Sequence, residues 1–157
     1  LKGMLTPVLS ESVNYVNAPA LAAARGVRVT ETTRTRGDEH MDLLTVVSTD
    51  ANGPHVISGT LFGKNNPHIV VLDGYAMDFR PEGYHIMVRN HDRPGMVGKI
   101  GTLLGAAQVN IAGMYLGREF RDGTAVMALS LDGPAPEETM RAIRAIEGIR
   151  SARLVEL

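Results

Sequence analysis

Between His85 and Ala107 the sequence changes its period once, across a sharp break. A strand-like run, His85 to Asn90, meets His91-Asp92-Arg93-Pro94-Gly95, and a helix-like run from Met96 to Ala107 follows at once. In that run Met96, Ile100, Leu103, Leu104 and Ala107 recur at steps of three and four and make one apolar stripe. Gly98, Gly101 and Gly105 sit at similar steps, each costing up to ~1 kcal/mol of helix propensity relative to Ala, which close packing onto another backbone would offset. Pro94 has little N–H to lose near a helix start, and Asp92 is placed to cap the first amides and meet the positive end of the helix dipole. Strand, polar turn and helix start outline a pocket for a small anion or an amino acid.

The chain after this stretch continues the pattern. Asn110 to Phe120 has the composition of a strand, Arg121-Asp122-Gly123 of a tight connection, and Thr124 to Leu131 of the partner strand. Pro136 opens a helix with Glu137 and Glu138 in its first turn and Arg141 and Arg144 later, as the dipole prefers. Met140, Ile143 and Ile146 form its inner face, Gly148 closes it, and Ile149 to Leu157 supplies a last strand. The order strand-helix-strand-strand-helix-strand is the split βαβ arrangement.

Before it, Leu1 to Leu9 looks like the tail of a helix stopped near Pro7, and Asn17-Ala18-Pro19 starts a second helix that runs through Ala24 to Gly26. Val27 to Thr35 alternates as a strand with one wet face, and Asp42 to Thr49 has the composition of a mostly buried strand. Asp50 to Pro54 is a turn, and His55 to Phe62 returns as a strand. Asp73-Gly74 between Ile69–Leu72 and Tyr75–Phe79 is a hairpin signal. The first half is thus one or two helices against an antiparallel sheet, with Arg80-Pro81-Glu82-Gly83 as the link to the second domain. The expectation is an α+β chain with domains over 1–82 and 83–157.

Several function classes are disfavoured. A formal net charge of −1 gives no footprint for nucleic acid, and no Lys/Arg cluster suggests a membrane surface. With no cysteine there is no disulfide, thiol nucleophile or thiolate metal site, as suits the cytoplasm. No apolar run has the length of a membrane span. Gly59 to Lys64 has neither the Walker spacing nor the Ser or Thr after the Lys, and Gly98 to Gly105 does not match G-x-G-x-x-G. The five histidines, His40, His55, His68, His85 and His91, lack paired metal spacing, so a surface or hydrogen-bonded role is expected for each. No motif marks a catalytic residue.

Asp92-Arg93-Pro94-Gly95, the following Val97 and Ile100, and Val109-Asn110-Ile111 resemble the ACT domain, a βαββαβ module that binds amino acids. Val13-Asn14-Tyr15-Val16-Asn17-Ala18-Pro19 and Ser58-Gly59-Thr60-Leu61-Phe62-Gly63 resemble the domain that precedes it in the long form of the D-3-phosphoglycerate dehydrogenase family. The resemblance implies a regulatory fragment, an allosteric substrate-binding-like domain followed by a ferredoxin-like ACT domain. It also implies a longer parent chain with NAD-dependent dehydrogenase domains, and no cofactor held by this part. L-serine, or another small amino acid, is the implied effector, bound between two ACT domains of a homo-oligomer. Asp92 would pair with the ammonium group, the amides around Gly95, Met96 and Val97 with the carboxylate, and Asn110 would come from the second copy. Pro94 lines the same turn, and Asn90 takes a pocket position that holds other polar or aromatic residues in relatives. Lys64, His68 and Arg80 are the implied anion-binding residues upstream, where a phosphorylated substrate can act as a second effector. Asn14 and Asn17 are expected to fix turns. A non-sensing oligomerisation module, or the regulatory subunit of an iron–sulfur L-serine dehydratase, stays open beside this reading; Gly59 to Gly63 has the dehydrogenase form.

Overall fold

The structure, a computed structural model, describes residues 1–32, 43–51, 53–118 and 123–157. It divides into two compact units, Leu1–Arg36 and Gly37–Leu157. In the first, helices α1 (Lys2–Leu5) and α2 (Ala18–Ala24) share a small core of Leu5, Val13, Ala18 and Ala22. The loop between them is held by its asparagines. Asn14 Oδ1 accepts from the amides of Val16 and Asn17, and Asn17 Nδ2 donates to the Ser12 carbonyl. Asn17 therefore braces the loop, and its side chain does not cap α2. The strand expected from Val27 is absent over 27–32, and 33–35 lie outside the described residues. Alternation makes a strand only when a neighbour takes up the backbone hydrogen bonds, and Val27 to Thr32 are all exposed.

The second unit holds two four-stranded antiparallel sheets. The first is a meander of β1 (Leu43–Asp50), β2 (Gly53–Leu61), β3 (Pro67–Leu72) and β4 (Tyr75–Phe79), in that order. Asp73 and Gly74 make the β3–β4 turn with φ of 49° and 86°, the two left-handed positions that a two-residue hairpin requires. β1 is not the buried strand its composition suggested. It is the edge of the sheet, with Leu44 73% and Val47 60% exposed. A run of Leu and Val measures strand preference, and burial depends on what lies across each face.

The second sheet is built from β5 (Tyr84–His91), β6 (Ile111–Arg118), β7 (Thr124–Leu131) and β8 (Ile149–Glu156), with α3 (Met96–Ala106) after β5 and α4 (Glu137–Arg144) after β7. Its order, β6-β7-β5-β8, is that of the expected βαββαβ ferredoxin-like fold. Ile86 and Val88 of β5, Met127 and Leu129 of β7, Ile100 and Leu104 of α3, and Met140 and Ile143 of α4 form one core between helices and sheet. The opposite face of the same strands is covered too. Met77 and Phe79 of β4 pack on Val126 and Ala128, with Met87 and Tyr115 at the margin. His85, 1% exposed, lies in this layer: its Nε2 donates to the Glu82 carbonyl, which leaves Nδ1 to accept from the Ser130 hydroxyl.

Two local expectations at α3 change. Gly98, Gly101 and Gly105 meet nothing within 4 Å where a Cβ would stand, so among the described residues no other backbone packs against them. The N-cap of α3 is Gly95, in the left-handed region at φ 87°, and no side chain caps the helix. A glycine fits there because φ is positive, and the Asp92 carboxylate, three residues before the cap, faces Arg118.

Candidate functional site

The end of β5 runs straight into the start of α3, and this junction carries most of the expected effector residues. Asn90, 2% exposed, lies on the helix side of β5 in line with Ile86 and Val88. Its Nδ2 donates to the His91 carbonyl at 2.7 Å, and its buried Oδ1 has no hydrogen-bond partner. A buried amide oxygen without a donor costs about 1–3 kcal/mol, so the position has capacity for a donor from a ligand. Between Arg89 and Asn90 the pairing of β5 with β8 shifts register, while the pairing with β7 stays regular through His91.

Asp92 follows, its side chain 21% exposed and its amide bonded to the Gly123 carbonyl at 2.9 Å. One carboxylate oxygen lies 3.5 Å from an Arg118 guanidinium nitrogen at the end of β6, a loose pair that a stronger partner can replace. Next come Pro94 and Gly95, both exposed, then Met96, buried in the core, and Val97, exposed. Since no side chain caps α3, the amides of Met96, Val97 and Gly98 are its unpaired first-turn donors. A carboxylate, an uncapped helix start and an unsatisfied amide oxygen thus meet at one corner. Together they can receive an ammonium group, a carboxylate and one further donor.

Asn110 lies elsewhere. Its Nδ2 donates to Asp132 at 2.6 Å, beyond the far end of β7, whereas Asp92 sits beside Gly123 at the near end. The eight residues of β7, at about 3.3 Å each, put the two roughly 25 Å apart within the chain. One copy therefore does not bring Asn110 to Asp92.

The upstream cations form a second cluster. Phe62 and Asn66 close the β2–β3 turn that presents the exposed Lys64. His68 Nδ1 meets Asp78 at 2.5 Å, and its ring packs edge-on against Phe62. Arg80 Nε donates to Asn66 Oδ1 at 2.8 Å, and its Nη1 lies 3.1 Å from Glu82. His68 and Arg80 are thus neighbours at one corner of the first sheet, each already facing a carboxylate. An anion arriving there would exchange one partner for another.

Of the histidines, His55 lies 3.7 Å from Asp73, and His40 is outside the described residues. Among the described residues no group of three or more His, Asp or Glu side chains could hold a metal ion, and no helix is long and apolar enough to cross a membrane. Arg118, Asp73 and Arg89 were not legible as site residues. Arg118 stands 26 positions from Asp92, with only the fold to join them.

Comparison with known proteins finds two family matches along the chain. Residues 1–73 match the D-3-phosphoglycerate dehydrogenase intervening domain, and residues 84–148 match the ACT domain. Over its whole length the chain is 40% identical to a D-3-phosphoglycerate dehydrogenase of Synechocystis, 36% to one of Archaeoglobus fulgidus and 34% to one of Methanocaldococcus jannaschii. It spans 28% of the first of these relatives and 30% of the other two. The first-sheet strands of the intervening region belong to the same compact unit as the ACT strands. Residues 1–73 are thus a region of the D-3-phosphoglycerate dehydrogenase intervening-domain type, and residues 84–148 are an ACT domain.

Proposed function

We propose that this chain is the effector-binding part of a D-3-phosphoglycerate dehydrogenase, the first enzyme of L-serine synthesis, and that L-serine binds at an interface between two ACT domains. The observation that carries the reading is the corner formed by Asp92, the uncapped start of α3 and the unpartnered Asn90 Oδ1. A zwitterion suits it: the ammonium group displaces Arg118 from Asp92, and the carboxylate turns to the amides of Met96 and Val97. Asn110, a strand length away in its own chain, closes the pocket from a second copy. The match of residues 1–73 to the intervening domain favours the dehydrogenase over the iron–sulfur serine dehydratase as parent.

Catalysis and NAD belong in this reading to further domains of a longer, cytoplasmic parent. The residues present do not fit a dinucleotide, since both sheets are antiparallel and no G-x-G-x-x-G fingerprint exists. Serine regulates by binding one arrangement of the subunits more tightly than the other. At the upstream corner, Lys64, His68 and Arg80 take a phosphorylated substrate or other anion in exchange for Asp78 and Glu82.

Titration calorimetry with L-serine tests the effector site. Asp92→Ala and Asn110→Ala should each weaken binding by about 1.5–3 kcal/mol, the worth of a hydrogen bond to a charged group. Binding that both variants leave untouched puts the site elsewhere. A chain that dimerises yet takes up no amino acid would be the non-sensing assembly module.

A further inference from the structure

The tip of the β3–β4 hairpin touches both strands that hold Asp92. Asp73 is fixed at that tip from several sides. Its amide donates to the Val56 carbonyl at 2.6 Å, and its Oδ1 accepts from the Val56 amide at 2.7 Å. Its other oxygen is thereby aimed across the sheet-to-sheet contact, where it receives Nη2 of Arg89 from β5. The Asp73 side chain is 13% and the Arg89 side chain 39% exposed, so the pair is partly shielded from solvent. Arg89 is the last β5 residue before the register shift with β8, directly ahead of Asn90, His91 and Asp92.

A second contact reaches the same corner by another strand. Gly117 of β6 lies so close to the hairpin that a Cβ would stand 2.8 Å from Tyr75 Cβ and 3.1 Å from the Ala76 carbonyl oxygen. The next residue is Arg118, the partner of Asp92. The hairpin thus grips the site through β5 by an ion pair and through β6 by a steric fit.

We propose that Asp73 is a positioning residue for the ligand-binding end of β5, and that the β3–β4 hairpin reads the state of the ACT site through Arg89 and Gly117. An ammonium group that draws Asp92 away from Arg118 moves the strand ends on which the hairpin rests. The first sheet then responds without touching the ligand. The ligand's identity rests on the effector reading above; the positioning role does not.

Asp73→Asn isolates the pair, because Asn tolerates the left-handed backbone and keeps an acceptor for the Val56 amide. Hydrogen exchange on the ligand-free chain gives the first result. The amides of His91 and Asp92, bonded to Gly148 and Gly123, should exchange about fivefold faster or more, with Ile86 and Val88 within about twofold of the unaltered chain. Arg89→Met should repeat the pattern, and the double variant should not exceed the larger single effect. Unchanged exchange at His91 and Asp92 overturns the proposal, as does equal acceleration at Ile86 and Val88, which would mark a general loss of stability. With L-serine, protection in the unaltered chain should extend from 90–97 into 75–77, and in Asp73→Asn it should stop at 90–97. Protection that reaches 75–77 equally in Asp73→Asn also overturns it. If serine protects nothing in the unaltered chain, the amino-acid reading fails and the ligand-free comparison still decides on Asp73.

Discussion

Four antiparallel strands make each of the two sheets in residues 37–157, yet the sheets keep their apolar side chains out of water in different ways. The β5–β8 sheet owns its core: α3 and α4 follow its strands in the chain and cover one face with Ile100, Leu104, Met140 and Ile143. The β1–β4 sheet has no helix between its strands. Its cluster around Met77 and Phe79 is completed by Val126 and Ala128 of the other sheet, and β1 at its edge leaves Leu44 and Val47 in solvent. Similar strand propensities therefore end in different burial. What separates the two is whether the connections are long enough to bring a cover of their own.

The largest expected effect breaks the sheet that owns its core. Leu104→Ala should cost about 2–5 kcal/mol, as for other fully buried leucines, read from the urea midpoint. If the first sheet borrows its core, exchange protection over 67–79 should fall with it. Protection that survives there would show that β1–β4 stands alone. A smaller effect sharpens the contact between the sheets. Gly117→Ala should cost about 1–3 kcal/mol, since the added Cβ meets Tyr75 and the Ala76 backbone, which cannot rotate aside. The smallest effect belongs to the exposed edge. Leu44→Lys should change stability by no more than about 0.5 kcal/mol and reduce any edge-to-edge association measured by sedimentation. A loss like that of Leu104→Ala would mean that β1 is covered after all.

The βαββαβ half was legible because each of its elements has a period of its own and a short connection. Met96, Ile100 and Leu104 recur at helical steps and all three are buried in the structure. The Asp73-Gly74 turn was equally readable, because two left-handed residues in succession leave few other choices. Asp73 as an ionic partner of Arg89 was not, since the pair joins strands from different sheets. The same reason hid Arg118 beside Asp92. The position of Asp92 before α3 suggests a helix cap, and the chain instead turns at Gly95 before α3 begins. The Val27 and Leu43 segments were misjudged because side-chain preference carries no information about whether a partner strand or a covering face exists.

The sequence by itself determined the Asp73-Gly74 turn, which segments are helix or strand in the second half, and the residue types gathered near Asp92. These are local matters, settled within a few residues by backbone sterics and side-chain period. Tertiary structure alone decided that β7 is buried on both faces, that Gly117 admits β4, and that Asn110 stands a strand length from Asp92. Such facts depend on which surfaces meet. Burial, close approach and distance are properties of pairs of segments, and no single stretch of chain contains both members of a pair.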